Sequence, residues 1–313
     1  AVKGLDPEIT CGVKVFMGAS TGDMMEDDPD SLEQIFAQAP LLVATHCEDT
    51  PTILTNESRF RRRFGDDLPM RHHPDVRSRE ACLKSSALAV SLARRHGTRL
   101  HVLHLTTIEE LEMFDAGPAE EKQITAEVCA HHLFFNDADY ESLGTRIKCN
   151  PAIKSESDRG ALLRAGNEDR IDVIATDHAP HTLAEKQRPY FQAPSGLPLV
   201  QYALPSLLEH YHRGDLTLPR IVEKASHAPA RLFHLKDRGF IREGCWADLV
   251  LVDLEGDGTV TPEAVLGRCG WSPFEGYHFR STVVFTVVNG SFAYRDGRVM
   301  DDPRGLPLAF DRP

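Results

Sequence analysis

The sequence predicts an α/β fold, a parallel sheet or barrel followed by a small β-rich module, and three observations carry that expectation. Short β-rich runs alternate with segments of helical spacing through most of the chain. A polar, reactive residue stands at or near the end of successive runs. After about residue 200 the alternation gives way to two helical patterns and then to strands.

The candidate strands are CGVKVFMG (11–18), LLVATHC (41–47), RLHVLHL (99–105), ITAEVCA (124–130), GTRIKCN (144–150) and IDVIATD (171–177). They read as near-continuous apolar runs, which is what strands covered on both faces require. Between them, 30–39, 78–97 and 107–117 carry apolar positions at helical spacing. Beyond residue 200, PLVQYALPSLLEHYHRG and LPRIVEKASHAPARLFHL read as helices, and 246–254 and 282–300 as strands. Asn289-Gly290 divides the last run and signals a hairpin.

Lys14, His46, His104, Asn150 and Asp177 lie at or near the C-terminal ends of these strands, which in a (β/α)8 barrel ring a single site at one mouth. Lys14 interrupts an apolar run, where a charged amine costs on the order of several kcal/mol unless it is paired or neutralised. Imidazole and carboxylate at neighbouring strand ends suit a zinc-type centre. His101 and His104 are three apart and should point to opposite faces, so His104 is taken inward and His101 outward. His131 and His132 follow another strand as secondary candidates. In ATDHAPHT, Asp177 is followed one and four residues later by His178 and His181, with Pro180 forcing a tight loop. Such a carboxylate could hold a metal and shuttle a proton.

The net charge of −12 argues against nucleic acid or an anionic membrane as the main partner, leaving a small-molecule substrate. Seven scattered cysteines without a CxxC pair fit free thiols in the cytoplasm better than disulfides. No apolar segment reaches the length of a membrane span and no signal peptide opens the chain. The chain lacks an initiator Met and enters a core-like strand within a dozen residues, as an internal piece of a longer protein would.

Taken together, GVKVFMGAST, THCED, HVLHLTT, EVCAHHLFF, KCNPAIK, ATDHAPHT and GFIREGCWADLVLVDL resemble the dihydroorotases of the cyclic amidohydrolase superfamily over nearly the whole sequence. The resemblance implies a TIM (β/α)8-type barrel with two zinc ions bridged by a carboxylated Lys14, which would remove the amine's charge. It implies His46 and His104 as ligands of the second metal, and Asp177 as both a ligand of the first and the acid/base. The implied reaction is reversible hydrolysis of the cyclic amide of dihydroorotate to N-carbamoyl-L-aspartate in pyrimidine synthesis. Asn150 and His181 would hold the substrate, with backbone near Gly196, and Ser20 and Thr21 fall where related enzymes carry a mobile loop.

The family's first metal also takes a His-x-His pair at the end of the first barrel strand, followed by an arginine, and no strand here ends that way. Counting Lys14's strand as the third, strands three to eight remain and two β/α units, roughly 60 residues of a barrel of about 250, are missing. The expected division is a partial barrel over 1–240 and a β-rich module over 241–313, weakly active or inactive alone. A hydantoinase, dihydropyrimidinase or allantoinase, or a non-catalytic scaffold for a partner enzyme, are the competing readings. A homodimer is a candidate assembly.

Overall fold

The computed structural model describes residues 2–18, 25–301 and 305–312. It is a TIM-barrel-like α/β fold with a C-terminal β module. The barrel part is a parallel sheet of five strands in sequence order: β1 (Val13–Met17), β2 (Val43–Cys47), β3 (Leu100–Val102), β4 (Ile124–Cys129) and β5 (Val173–Ala175). Parallel neighbours need crossovers, and the segments between strands supply them. Pro29–Gln38 begins at Asp28, whose carboxylate accepts from Ser31 N–H. Arg79–His96 begins at Ser78 and stops at Gly97, left-handed at φ 69°.

Alternation along each strand separates two faces. Val15, Met17, Val43, Cys47, Val102 and Val128 join Phe36, Val90 and Leu162 in one core between the sheet and its helices. On the opposite face Ala44, Val173 and Ala175 pack against Ala228 and Leu232, so a late helix closes one end of the barrel interior.

Two expectations need correction. GTRIKCN is not a strand: Gly144–Ile147 is a 3-10 turn, and β4 pairs directly with β5. The Lys148 ammonium is buried and donates to Tyr190 O and Ala193 O, both at 2.6 Å, which fastens this segment to a loop rather than to the sheet. The parallel sheet of the described residues therefore has five strands where six were expected, and it is open. Along the free side of β1 the next contact is a single bridge from Phe16 to Met25, with Glu26 N–H donating to Phe16 O at 2.9 Å.

The module is a four-stranded sheet in which Thr282–Val288 lies between Leu249–Asp253 and Ser291–Arg295, with Arg298–Val299 at its edge. The hairpin is where the sequence put it: Asn289 and Gly290 take φ 51° and 83°, the pair of positive angles a two-residue turn demands. Among the described residues no helix is long and apolar enough to cross a membrane.

Candidate functional site

Phe16 pairs with His46 and Lys14 with Ala44 across β1 and β2, so the lysine and the first histidine share the interior face. His46 is 2% exposed. His104 is 3% exposed and reaches it from beyond the end of β3, with His46 Nδ1 and His104 Nε2 3.1 Å apart. Leu103 N–H donates to Thr45 O and Leu105 N–H to Glu127 O, pinning the chain on both sides, while His104 itself is left-handed at φ 40°. A non-glycine residue held there is uncommon and turns the ring where a regular strand would not.

That turn also overturns the outward placement of His101. Regular pairing stops at Val102, so period-two alternation does not run on to His104. His101 faces the interior as well, deeper in the barrel, with Thr125 Oγ1 2.9 Å and Glu127 Oε2 3.1 Å from its two nitrogens.

Of the outer nitrogens of the central pair, His104 Nδ1 is buried without a hydrogen-bond partner, and His46 Nε2 is buried against Glu48. Burial and the neighbouring His46 pull the His104 imidazole down to about 4, so it is neutral at pH 7 and keeps a lone pair. Glu48 Oε2 stands 3.2 Å from His46 Nε2 and pairs with Arg77 at 2.7 Å. Burial alone would raise the Glu48 carboxyl; Arg77 and His46 override it and hold it at about 2.

Lys14 and Asp177 stand differently. Both are exposed, and Lys14 lies 4.6 Å over the ring of Phe16. The lysine is not a buried charge, because β1 is the sheet edge and nothing described covers its interior side. Asp177 leaves β5 in a left-handed turn, φ 46°. The charges of both residues act on His104, yet His46, His104 and Asp177 do not bring three ligand atoms within 4.8 Å of one another.

Asn150, His181 and Gly196 converge on Ser195. In the amide orientation its neighbours demand, Asn150 donates to Ser195 Oγ and accepts from Arg77, each at 3.0 Å. His181 Nε2 lies 3.2 Å from Ser195 O. Gly196 has φ 141°, and a Cβ there would come within 2.5 Å of Ala179 O, so only glycine lets the two loops meet. Ser20 and Thr21 lie outside the described residues.

The model of the amidohydrolase family matches residues 24–293. The chain belongs to the amidohydrolase family. It is 36% identical over 285 residues to a dihydroorotase from Halobacterium salinarum, covering 89% of this chain and 63% of that protein. A dihydroorotase from Methanothermobacter thermautotrophicus is 30% identical over 99% of this chain and 69% of its own length. The chain thus spans about two thirds of the length of these relatives. Among solved structures it superposes on an L-hydantoinase (dihydropyrimidinase) from Arthrobacter aurescens with a TM-score of 0.86, at 24% identity, over 96% of this chain and 67% of that one.

For an amidohydrolase a bound metal is the expectation, and the closed part of the site fits one. Two buried imidazoles whose Nδ1 and Nε2 face each other at 3.1 Å are borderline donors of the kind zinc takes, and Glu48, locked by Arg77, holds the His46 ring through its other nitrogen. Glu48 and Arg77 escaped sequence reasoning. The signal was present, since Glu48 lies two residues after His46, but its burial at 0% was not legible. The chain's one His-x-His-Arg run, His210 to Arg213, offers no missing ligands. It lies on the helix Ala203–Arg213, where His210 pairs with Asp215 at 3.0 Å and His212 with Ser281 Oγ at 2.7 Å.

Proposed function

We propose that this chain is the catalytic part of a dihydroorotase, opening the cyclic amide of dihydroorotate to N-carbamoyl-L-aspartate and closing it in reverse. The observation that carries the reading is the buried His46–His104 pair, its facing nitrogens 3.1 Å apart, linked through Glu48 and Arg77 to Asn150. The dihydroorotase relatives at 30% to 36% identity support the substrate class.

Zinc would be held by His46, His104, Asp177 and a carboxylated Lys14, and when bound it supplies Lewis-acid polarisation of the amide carbonyl and water that is nucleophilic at neutral pH. The chain's own groups do the rest. Exposed Asp177 accepts the proton of the attacking water and returns it to the leaving ring nitrogen. Asn150, His181 and backbone at Gly196 orient the substrate, with Ser195 as the point where the three meet. We divide the chain into the barrel part, 1–240, and the β module, 241–313. All seven cysteines are free, which supports a reducing, cytoplasmic setting.

The test is an assay of zinc-loaded protein with dihydroorotate, allantoin and dihydrouracil side by side. Turnover of dihydroorotate alone, weak because Lys14 and Asp177 stand in solvent, is expected. Preference for either other amide would overturn the substrate assignment.

A further inference from the structure

A second cluster of ligand-type side chains lies in the same barrel and shares no residue with the set above. Cys129 ends β4 and begins the short helix Ala130–Phe134, which carries His131 and His132. The three are 0%, 1% and 3% exposed. One ligand atom from each can be chosen so that all lie within 4.8 Å of one another, and the two rings are 3.9 Å apart, centre to centre.

The hydrogen bonds single this cluster out. A neutral imidazole has one donor and one acceptor, and buried polar groups are nearly always paired. Both nitrogens of His131 lack a partner. His132 is half satisfied: its Nε2 lies 3.2 Å from Pro151 O, an interaction that makes Nε2 the protonated nitrogen and leaves Nδ1 as a buried, unpartnered lone pair. A backbone carbonyl orienting one nitrogen while the other faces the ion is the usual condition of a metal-bound histidine. With a cysteine sulfur beside two imidazoles, the donor set is one that zinc accepts, with a fourth position open.

We propose that Cys129, His131 and His132 form a thiolate-containing site for one zinc-type divalent ion, separate from the His46–His104 pair. Binding releases the Cys129 thiol proton to solvent and forms one metal–sulfur bond, with His131 and His132 each contributing a lone pair. Because His131 lies within reach of the charges of Asp177 and His104, an ion here would add positive charge to the same mouth.

The test is titration of metal-stripped, full 313-residue chain with Co²⁺, watching the near-ultraviolet sulfur-to-metal charge-transfer band. The expected result is a band that saturates, survives His104→Ala and is lost in Cys129→Ala. No band, or a band that persists in Cys129→Ala, overturns the site. Should Cys129→Ala fail to fold, X-ray absorption on the zinc-loaded wild-type chain decides instead. A sulfur neighbour at about 2.3 Å supports the site and a shell of nitrogen and oxygen alone refutes it. The dihydroorotase reading stands or falls separately, since its ligands include no sulfur: turnover of dihydroorotate without the band sinks this site only, and the band together with preference for allantoin or dihydrouracil sinks only that reading.

Discussion

The two walls of the site are built to different standards. On the β2–β3–β4 side, His46, His104, His131 and Glu48 are all at most 3% exposed, with His46, His104 and Glu48 held by neighbouring side chains or backbone. On the β1 and β5 side, Lys14 and Asp177 are exposed, at the two edges of an open sheet. Strand position accounts for the difference. A residue on an inner strand is covered by neighbours on both sides and loses its water, so it must be paired or left waiting for a ligand. Lys14 and Asp177, on or just after the edge strands, keep water and need neither. The closed wall therefore reports preorganisation, while the open wall reports only which residue types are available.

The heaviest blow to the closed wall is Arg77→Met. It strands Glu48, a fully buried carboxylate otherwise held at about 2, beside His46. Breaking a buried pair from one end costs about 3–5 kcal/mol. Urea unfolding should show a loss of that size. A loss below about 1 kcal/mol would mean that water reaches Glu48 and the wall is not closed.

Next in size is His104→Ala. Residues that merely orient a ligand are worth about 10–100-fold in metal affinity, so removal of a ligand should weaken zinc binding by more than about 100-fold. Competition against a chelator measures it. An unchanged affinity would remove the histidine pair from the centre.

Much of this contrast was legible in the sequence. Strand ends carrying His46, His104 and Asp177 follow from the alternation of β runs and helical segments, and Asn289-Gly290 announced its hairpin; Lys14, expected near the end of its strand, is instead the second residue of β1. What was not legible depended on partners remote in the chain. His101 was placed outward because period two was extended past Val102, where pairing actually stops. GTRIKCN has the composition of a strand, but Lys148 found carbonyls at Tyr190 and Ala193 that no local pattern reveals. Lys14 was read as buried because its neighbours are apolar, although exposure at a sheet edge depends on which strand lies alongside.

A smaller effect is expected with pH. His73, 1% exposed, lies 2.8 Å from both Tyr190 Oη and Cys149 O and backs the peptide that leads into Asn150. Burial, followed by the charge of Lys148, depresses it well below its ordinary 6.5. Above pH 6.5 it is neutral in both folded and unfolded chains; below that, the unfolded chain takes up the proton first. Stability should then fall with decreasing pH by up to about 1.4 kcal/mol per pH unit from this group. In His73→Gln the slope of urea stability between pH 6.5 and 5 should shrink by about one proton. An unaltered slope would mean that the ring is solvated.

The smallest effect belongs to the open wall and completes the contrast. Lys14→Ala removes an exposed amine that lies 4.6 Å over the Phe16 ring, so stability should change by no more than about 0.5 kcal/mol. If the lysine nonetheless serves as a carboxylated ligand, zinc content must fall in the same variant, and added bicarbonate, which restores nothing in Ala, should raise zinc content in the wild type. Loss of stability without loss of zinc would reverse the assignment, because it would make Lys14 part of the fold and not of the site. The two walls would then differ in function as well as in burial, with His46 and His104 left to hold whatever metal the chain carries.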